Sequence, residues 1–244
     1  MVEVRIGTSG WHYSHWRQRF YPEKLKPSEW LPYFAHHFDT VEVNATFYRE
    51  PRASTIAQWI EHTPDDFLFA VKMHRAITHY QRLENVEESL ERFDAIARSF
   101  GEKLGVVLIQ LPPSFALEVE RVAAFFKQLR RRARKRRYAL EARHKSWLSD
   151  AATEVLQRYD IAWCIADSGG RYPTAEFVTA PFVYLRFHGP GPLYASSYSD
   201  DVLREWAGKI RRWKRQKRDV FAYFNNDFEG YAIQNAQRLK EFVK

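Results

Sequence analysis

Residues 40–48 read TVEVNATFY, and the alternation in this stretch sets Glu42 and Asn44 on one side of a strand and Val41, Val43 and Ala45 on the other, because successive strand side chains point to opposite faces. A buried polar group that is neither paired nor used costs roughly 1–3 kcal/mol, and a lone charge costs more. The pattern recurs in the other apolar runs of the chain. Near their C-terminal ends one parity is polar: Gly7 and Ser9, Lys72 and His74, Gln110, Glu141 and Arg143, Asp167, Arg186 and His188, Tyr223 and Asn225. These residue types form a working set. Glu42, Glu141, Asp167 and His188 can move protons, Lys72, Arg143 and Arg186 can hold an anion, and Asn44, Gln110 and Asn225 can read hydroxyls. The structural alternative is a self-neutralising core in which three acids face three bases.

To act together, these residues need eight strand ends at one place. Period-2 runs predict strands at Val4–Ser9, Thr40–Asn44, Phe67–His74, Gly105–Leu111, Arg137–Arg143, Ile161–Asp167, Phe182–His188 and Asp219–Asn225, and helical spacing predicts helices at Trp30–His37, Ala53–His62, Val86–Phe100, Glu118–Arg132, Asp150–Tyr159, Asp200–Lys217 and Tyr231–Val243. Asp150 and Asp200 are the expected N-caps of their helices, and Pro51, Pro64, Pro112, Pro113 and Pro181 mark joints. Mostly continuous apolar strands alternating with helices predict a single-domain α/β fold over residues 1–244, a parallel (β/α)8 TIM-type barrel that is irregular between strands 6 and 7, where 168–181 carries at most a short helix. An open doubly wound sheet is the other solution, but no G-x-G-x-x-G follows the first strand. In the barrel, the polar parity faces inward and collects at the C-terminal mouth.

The loops around that mouth are aromatic: GWHYSHW (10–16), TFY (46–48), HKSW (144–147) and GPGPLYASSYSD (189–200). Rings beside hydroxyls and amides grip sugars or bases, which makes Trp11, Tyr48, Trp147 and Tyr198 candidate binding residues.

Net charge is +8, yet residues 130–137 (RRRARKRR) and 209–218 (KIRRWKRQKR) hold seven basic residues each and no acid, so the rest of the chain is net acidic. Both runs precede strands, on the face opposite the mouth. They fit cations at helix C-termini or a non-specific nucleic-acid surface. The single cysteine, Cys164, is expected on the helix-facing side of its strand and permits no internal disulfide, which suits the cytosol; no signal peptide, 18-residue apolar run or membrane contact is read from the chain.

The stretches IGTSGW, EVNATFY, VKMHRAITH, IQLPPSF, EARHKSW, RFHG followed by Tyr194 and Tyr198-Ser199, and FNNDFEGYAIQNA fall in order between residues 5 and 236. They resemble the YecE family of uncharacterised barrel proteins. The resemblance implies a (β/α)8-type fold and a distant similarity to sugar isomerases, with no established reaction. Glu42, Asn44, Lys72, Gln110, Glu141, Arg143, Asp167, Arg186, His188, Asn225 and Asn226 match its motif positions, whereas Ala142 stands where Phe is expected and Pro190 where a polar or basic residue often follows the HG pair.

The expected function is acid/base chemistry at the mouth on a sugar, a sugar phosphate or a similar polar or anionic small molecule, with Glu141 as the proton-transfer group and His188 as its complement. No cofactor is expected. A metal would have Glu42, Glu141, Asp167 and His188 as its ligands, outnumbered by cations that repel it. A nucleic-acid-binding protein or metal-dependent nuclease using the two basic runs, and a non-catalytic binding barrel, are the competing readings. Oligomeric state is open.

Overall fold

The structure, a computed structural model, describes residues 2–244. Eight parallel strands close a barrel in sequence order: β1 Val4–Ser9, β2 Thr40–Val43, β3 Leu68–Lys72, β4 Leu104–Gln110, β5 Tyr138–Glu141, β6 Ile161–Asp167, β7 Phe182–Phe187 and β8 Asp219–Phe224, with β8 pairing back onto β1. Around it run α1 Trp30–His37, α2 Ala45–Tyr48, α3 Ala53–Glu61, α4 Glu87–Ser99, α5 Val119–Arg132, α6 Asp150–Arg158, α7 Asp200–Arg215 and α8 Tyr231–Val243. The expected irregularity is present: residues 168–181, between β6 and β7, carry no helix.

Several predicted strands are longer than the observed ones by the polar residue at the mouth. Asn44, His74, Arg143, His188 and Asn225 all lie just past a strand end. The ladder loosens there without stopping, since His188 N–H still donates to Asp167 C=O and Asn225 N–H to Phe187 C=O, each at 2.8 Å. Asn44 leads directly into α2, a single turn that four residues of sequence do not announce.

Two apolar clusters divide the core. The larger lies between sheet and helices and takes Val41, Val43, Ile165, Leu185 and Phe187 from the outward parity. The smaller fills the barrel with Ala70, Val106, Leu108, Ala139, Ala162, Cys164, Phe182, Tyr184, Phe221 and Tyr223. This corrects the reading of β6. Cys164 points into the barrel, not toward the helices, and Asp167, of the opposite parity, belongs to the outward row with Trp163 and Ile165. Volume decides the matter: small Ala162, Cys164 and Ala166 leave room inside for the neighbouring Tyr184 and Arg186, and the bulky parity goes under the helices.

Two capping expectations are also corrected. Ser149 Oγ accepts from Ala152 N–H and Ser199 Oγ from Val202 N–H, both at 3.4 Å. Asp150 and Asp200 are instead the first residues inside α6 and α7, where a negative charge favours the positive end of the helix dipole.

Candidate active site

The floor of the mouth is built on Arg186 from β7. Its Nε and Nη2 donate to Glu42 Oε1 at 3.2 and 2.7 Å, and its Nη1 donates to Glu141 Oε2. Glu42 also accepts from Ser9 Oγ at 2.5 Å and from Tyr184 OH at 2.6 Å, and Glu141 accepts from Arg143 Nε at 2.7 Å. All four charges come from inward positions at or just beyond the ends of β2, β5 and β7, so the network follows from the strand register. Burial by itself would raise the two carboxyls, but the guanidinium charges outweigh it: Arg186, Ser9 and Tyr184 hold Glu42 below the usual carboxylate range, and Arg143 and Arg186 hold Glu141 well below it. His188 is fully buried above this layer. Asn225 Nδ2 donates to its Nδ1 at 3.1 Å, which leaves the ring proton on Nε2, 3.5 Å from Glu141 Oε1. Burial keeps His188 neutral against the pull of Glu141.

Above the floor opens a cavity of about 570 Å³. Asn44, Tyr48, Lys72, Gln110, Arg143, Arg186 and Asn225, all expected at the mouth, line it together. Four cations, Lys72, Arg75, Arg143 and Arg186, face one lining carboxylate, Asp227. Among the described residues Lys72 has no carboxylate within salt-bridge distance and no hydrogen-bond acceptor; its Nζ sits 4.0 Å from the centre of the Phe47 ring. Burial, reinforced by Arg186, pushes its ammonium down to about 7.

The remaining expected residues lie elsewhere. Glu42, Glu141 and His188 are beneath the cavity wall, in the network just described. Asp167 accepts from Gly169 N–H at 3.3 Å in a local turn outside the lining. Trp147 is fully buried and donates from Nε1 to Phe115 C=O at 3.1 Å, pinning one loop to another. Tyr198 is buried against Phe187 and Phe224, and its OH accepts from Gly189 N–H at 3.0 Å. Trp11 lines a second, more apolar cavity of about 620 Å³ with Leu31 and Trp59, and this cavity meets the first at Tyr13 and Asn44. Asn44 Oδ1, at that junction, is buried without a donor. Asn226, matched by motif, is a clamp: its Nδ2 donates to Ser196 C=O and to Asn235 Oδ1, fixing the loop after β7.

Several lining residues, Arg75, Asp227, His79 and Tyr13 among them, escape strand parity because loops and turns carry them. Asp227 follows β8, and burial raises its carboxyl. His79, in the π-helical turn Ala76–Tyr80, is driven down to about 4 by burial and then by Lys72 and Arg143, so its imidazole is neutral. Tyr13 donates to Ser9 C=O at 2.7 Å, and burial raises its phenol. The signal available for them was the loop motifs GWHYSHW, VKMHRAITH and FNNDFEG. Among the described residues, no three His, Cys, Asp or Glu side chains converge as metal ligands would.

Comparison with known proteins agrees with the fold. The model of a family described as protein of unknown function DUF72 matches residues 5–244. UPF0759 protein YunF of Bacillus subtilis is 30% identical over 270 residues, covering 98% of this chain and 94% of that protein. A crystal structure of a DUF72 family protein from Thermotoga maritima superposes with a TM-score of 0.88 at 29% identity, covering 99% of both chains. D-psicose 3-epimerase from Clostridium cellulolyticum, solved with D-tagatose, superposes with a TM-score of 0.58 at 9% identity over 98% of each chain, which is likeness of fold.

Proposed function

The chain belongs to the DUF72 family, the YecE-like proteins of unknown function, and from its own side chains we propose that it is an enzyme performing acid/base chemistry on a small anionic polyhydroxy compound of the sugar-phosphate type. The observation that carries this reading is Lys72, a buried amine without a partner, facing a cavity that it shares with three guanidinium groups and one carboxylate. A lysine retained only for packing would be expected to carry a counter-ion or to extend to the outer surface, whereas this amine opens only into the cavity. Arg143 and Arg186 are balanced by Glu141 and Glu42 beneath them, so the positive charge left for an anion is that of Lys72 and of Arg75, which has no ion pair among the described residues and offers a free fork at the rim between the rings of Tyr48 and Tyr80. Asn44, Gln110 and Asn225 supply amide groups for hydroxyls.

Proton transfer falls to different residues than strand parity alone suggested. Glu141, held ionised by two arginines, is a weak base and a poor acid at neutral pH; its service is to fix Arg143 and Arg186. The groups in the cavity left to move a proton are Asp227, whose carboxyl burial raises, and the neutral imidazole of His79, while Lys72 is an amine poised near neutrality. The likeness to D-psicose 3-epimerase contributes the fold only.

Thermal unfolding in the presence of sugars, sugar phosphates and inorganic phosphate, each with EDTA, tests the reading. A sugar phosphate at a hundredfold excess over its Kd raises the midpoint by about 5 °C or more, and Arg75→Gln removes most of that rise. The active ligand then loses a hydrogen next to its carbonyl to D2O in the presence of wild-type protein. A midpoint that no sugar phosphate moves contradicts the reading.

A further inference from the structure

We propose that Lys72 is a nucleophile that captures the open-chain carbonyl of the bound substrate as a Schiff base, which narrows the substrate class to aldose or ketose phosphates. The inference rests on the reading of the mouth given above and deepens it. A neutral amine in an active site has two uses, taking a proton or forming a bond to a carbonyl carbon. A lysine base needs somewhere to pass its proton, and among the described residues Nζ has no hydrogen-bond acceptor. What it has is the face of Phe47 at 4.0 Å, a surface that favours a cation at that nitrogen. An iminium is such a cation. The carboxylates nearest in charge, Glu42 and Glu141, are tied to Arg186 and Arg143 and are not free to take the proton, whereas Asp227, whose charge partner is His15 at 3.8 Å outside the lining, and the neutral imidazole of His79 line the same cavity.

The step balances without any oxidant or reductant. The nitrogen lone pair forms the C–N bond while the carbonyl π pair moves to oxygen, which takes a proton, and nitrogen loses one. A second proton, from solvent, lets that oxygen leave as water and gives the iminium. The neighbouring C–H bond is now acidic, since its electron pair can settle on nitrogen. A base in the cavity takes that proton, reprotonation of the same carbon from the opposite face completes an epimerisation and regenerates the iminium, and water hydrolyses it to release the epimer and restore Lys72. Burial first, then Arg186 from β7, Glu141 and Arg143 from the end of β5 and Glu42 from β2 set the protonation of Lys72, which in turn helps to hold His79, in the turn after β3, neutral.

The test is reductive trapping on the folded wild-type protein, with dihydroxyacetone phosphate and glyceraldehyde 3-phosphate as probes, sodium cyanoborohydride as reductant and peptide mass mapping as readout. The expected result is an adduct at Lys72 with a half-maximal rate near pH 7, formed at pH 7 at least about tenfold faster than at exposed Lys24, Lys135 or Lys214. Excess inorganic phosphate slows it, and Lys72→Met removes it. Adducts confined to exposed lysines, with Lys72 unmodified across pH 7–10 in protein whose circular dichroism is native, overturn the proposal. Mapping the wild type alone separates these two results should Lys72→Met fail to fold. If dihydroxyacetone phosphate raises the unfolding midpoint but leaves no adduct, the Schiff base is wrong and the anion site stands; if it does neither, both are wrong.

Discussion

Arg186 lies inside the barrel with all three guanidinium nitrogens donating to Glu42 and Glu141. Removing one partner of a buried pair leaves an uncompensated charge, so Glu42→Gln is expected to lower unfolding stability by about 3–5 kcal/mol in urea denaturation at pH 7. The sign with pH follows from the depressed carboxyls. The stability they contribute is present above their unfolded values and is lost as pH falls through the folded ones, so wild type weakens below about pH 4.5 and the deficit of the variant shrinks there. Lys72 behaves oppositely. Its lowered folded value means that a buried charged amine destabilises the native state below pH 7, and the cost disappears as pH rises toward 10.5. Lys72→Met is therefore expected to be more stable than wild type by a few kcal/mol at pH 6, with the difference closing by pH 10 in the same denaturation experiment. Both residues could be named from sequence because each interrupts an apolar strand at an inward position. Asp227 and His79 could not, since a loop residue has no period and its direction is set by how the chain turns.

At the level of elements, parity located the mouth correctly in seven strands and failed in β6. There the polar residue at the strand end, Asp167, looked like the inward one, while the inward row is Ala162, Cys164 and Ala166. Polarity marks the inside only where the inside is polar; where large side chains from neighbouring strands fill it, small residues mark it instead. Gly7 in β1 obeys the same logic more strictly. A Cβ there would lie 2.2 Å from Thr40 C=O in β2, so only glycine lets the two strands close the barrel. Gly7→Ala is expected to cost about 3 kcal/mol or more of stability by chemical denaturation and to perturb β2, which carries Glu42. The caps show why boundaries blur: Ser-Asp occurs at both 149–150 and 199–200, either residue can cap, and the choice of serine rests on one hydrogen bond per helix.

Across the whole molecule, the two basic runs are largely consumed by the fold. Arg130 donates to the carbonyls of Tyr159, Arg134, Arg136 and Asp160 at the end of α5, Arg136 and Arg132 meet Asp94, and Arg137 meets Asp219. In the second run Lys209 and Arg212 meet Glu176, while Arg211 and Arg218 donate to the carbonyls of Phe242 and Ala180. Each run leaves three cations without a partner among the described residues: Arg131, Arg134 and Lys135, then Lys214, Arg215 and Lys217. Nucleic-acid binding by this surface is a proposal that rests on these six cations. Six phosphate contacts at most predict that log K for duplex DNA falls against log salt with a slope no steeper than about −5, equally in wild type and Lys72→Met. Among the described residues no helix is long and apolar enough to cross a membrane. The barrel, its order and its mouth were legible from periodicity because they depend on whole rows of residues; the division of labour inside the mouth was not, because it depends on which charges reach each other.

A reactive amine in an anion-binding cavity must reveal itself in its own titration, and Lys72 can be followed there without knowing the substrate. In protein carrying 13C-labelled lysine, with Lys72→Arg to identify the resonance, the Lys72 side-chain signal is expected to titrate with a midpoint near 7 and to move upward when a sugar phosphate or inorganic phosphate is added, since a bound anion favours the charged form. A midpoint at the ordinary lysine value of about 10.4, unmoved by either anion, would mean that Lys72 is neither reactive nor part of an anion site.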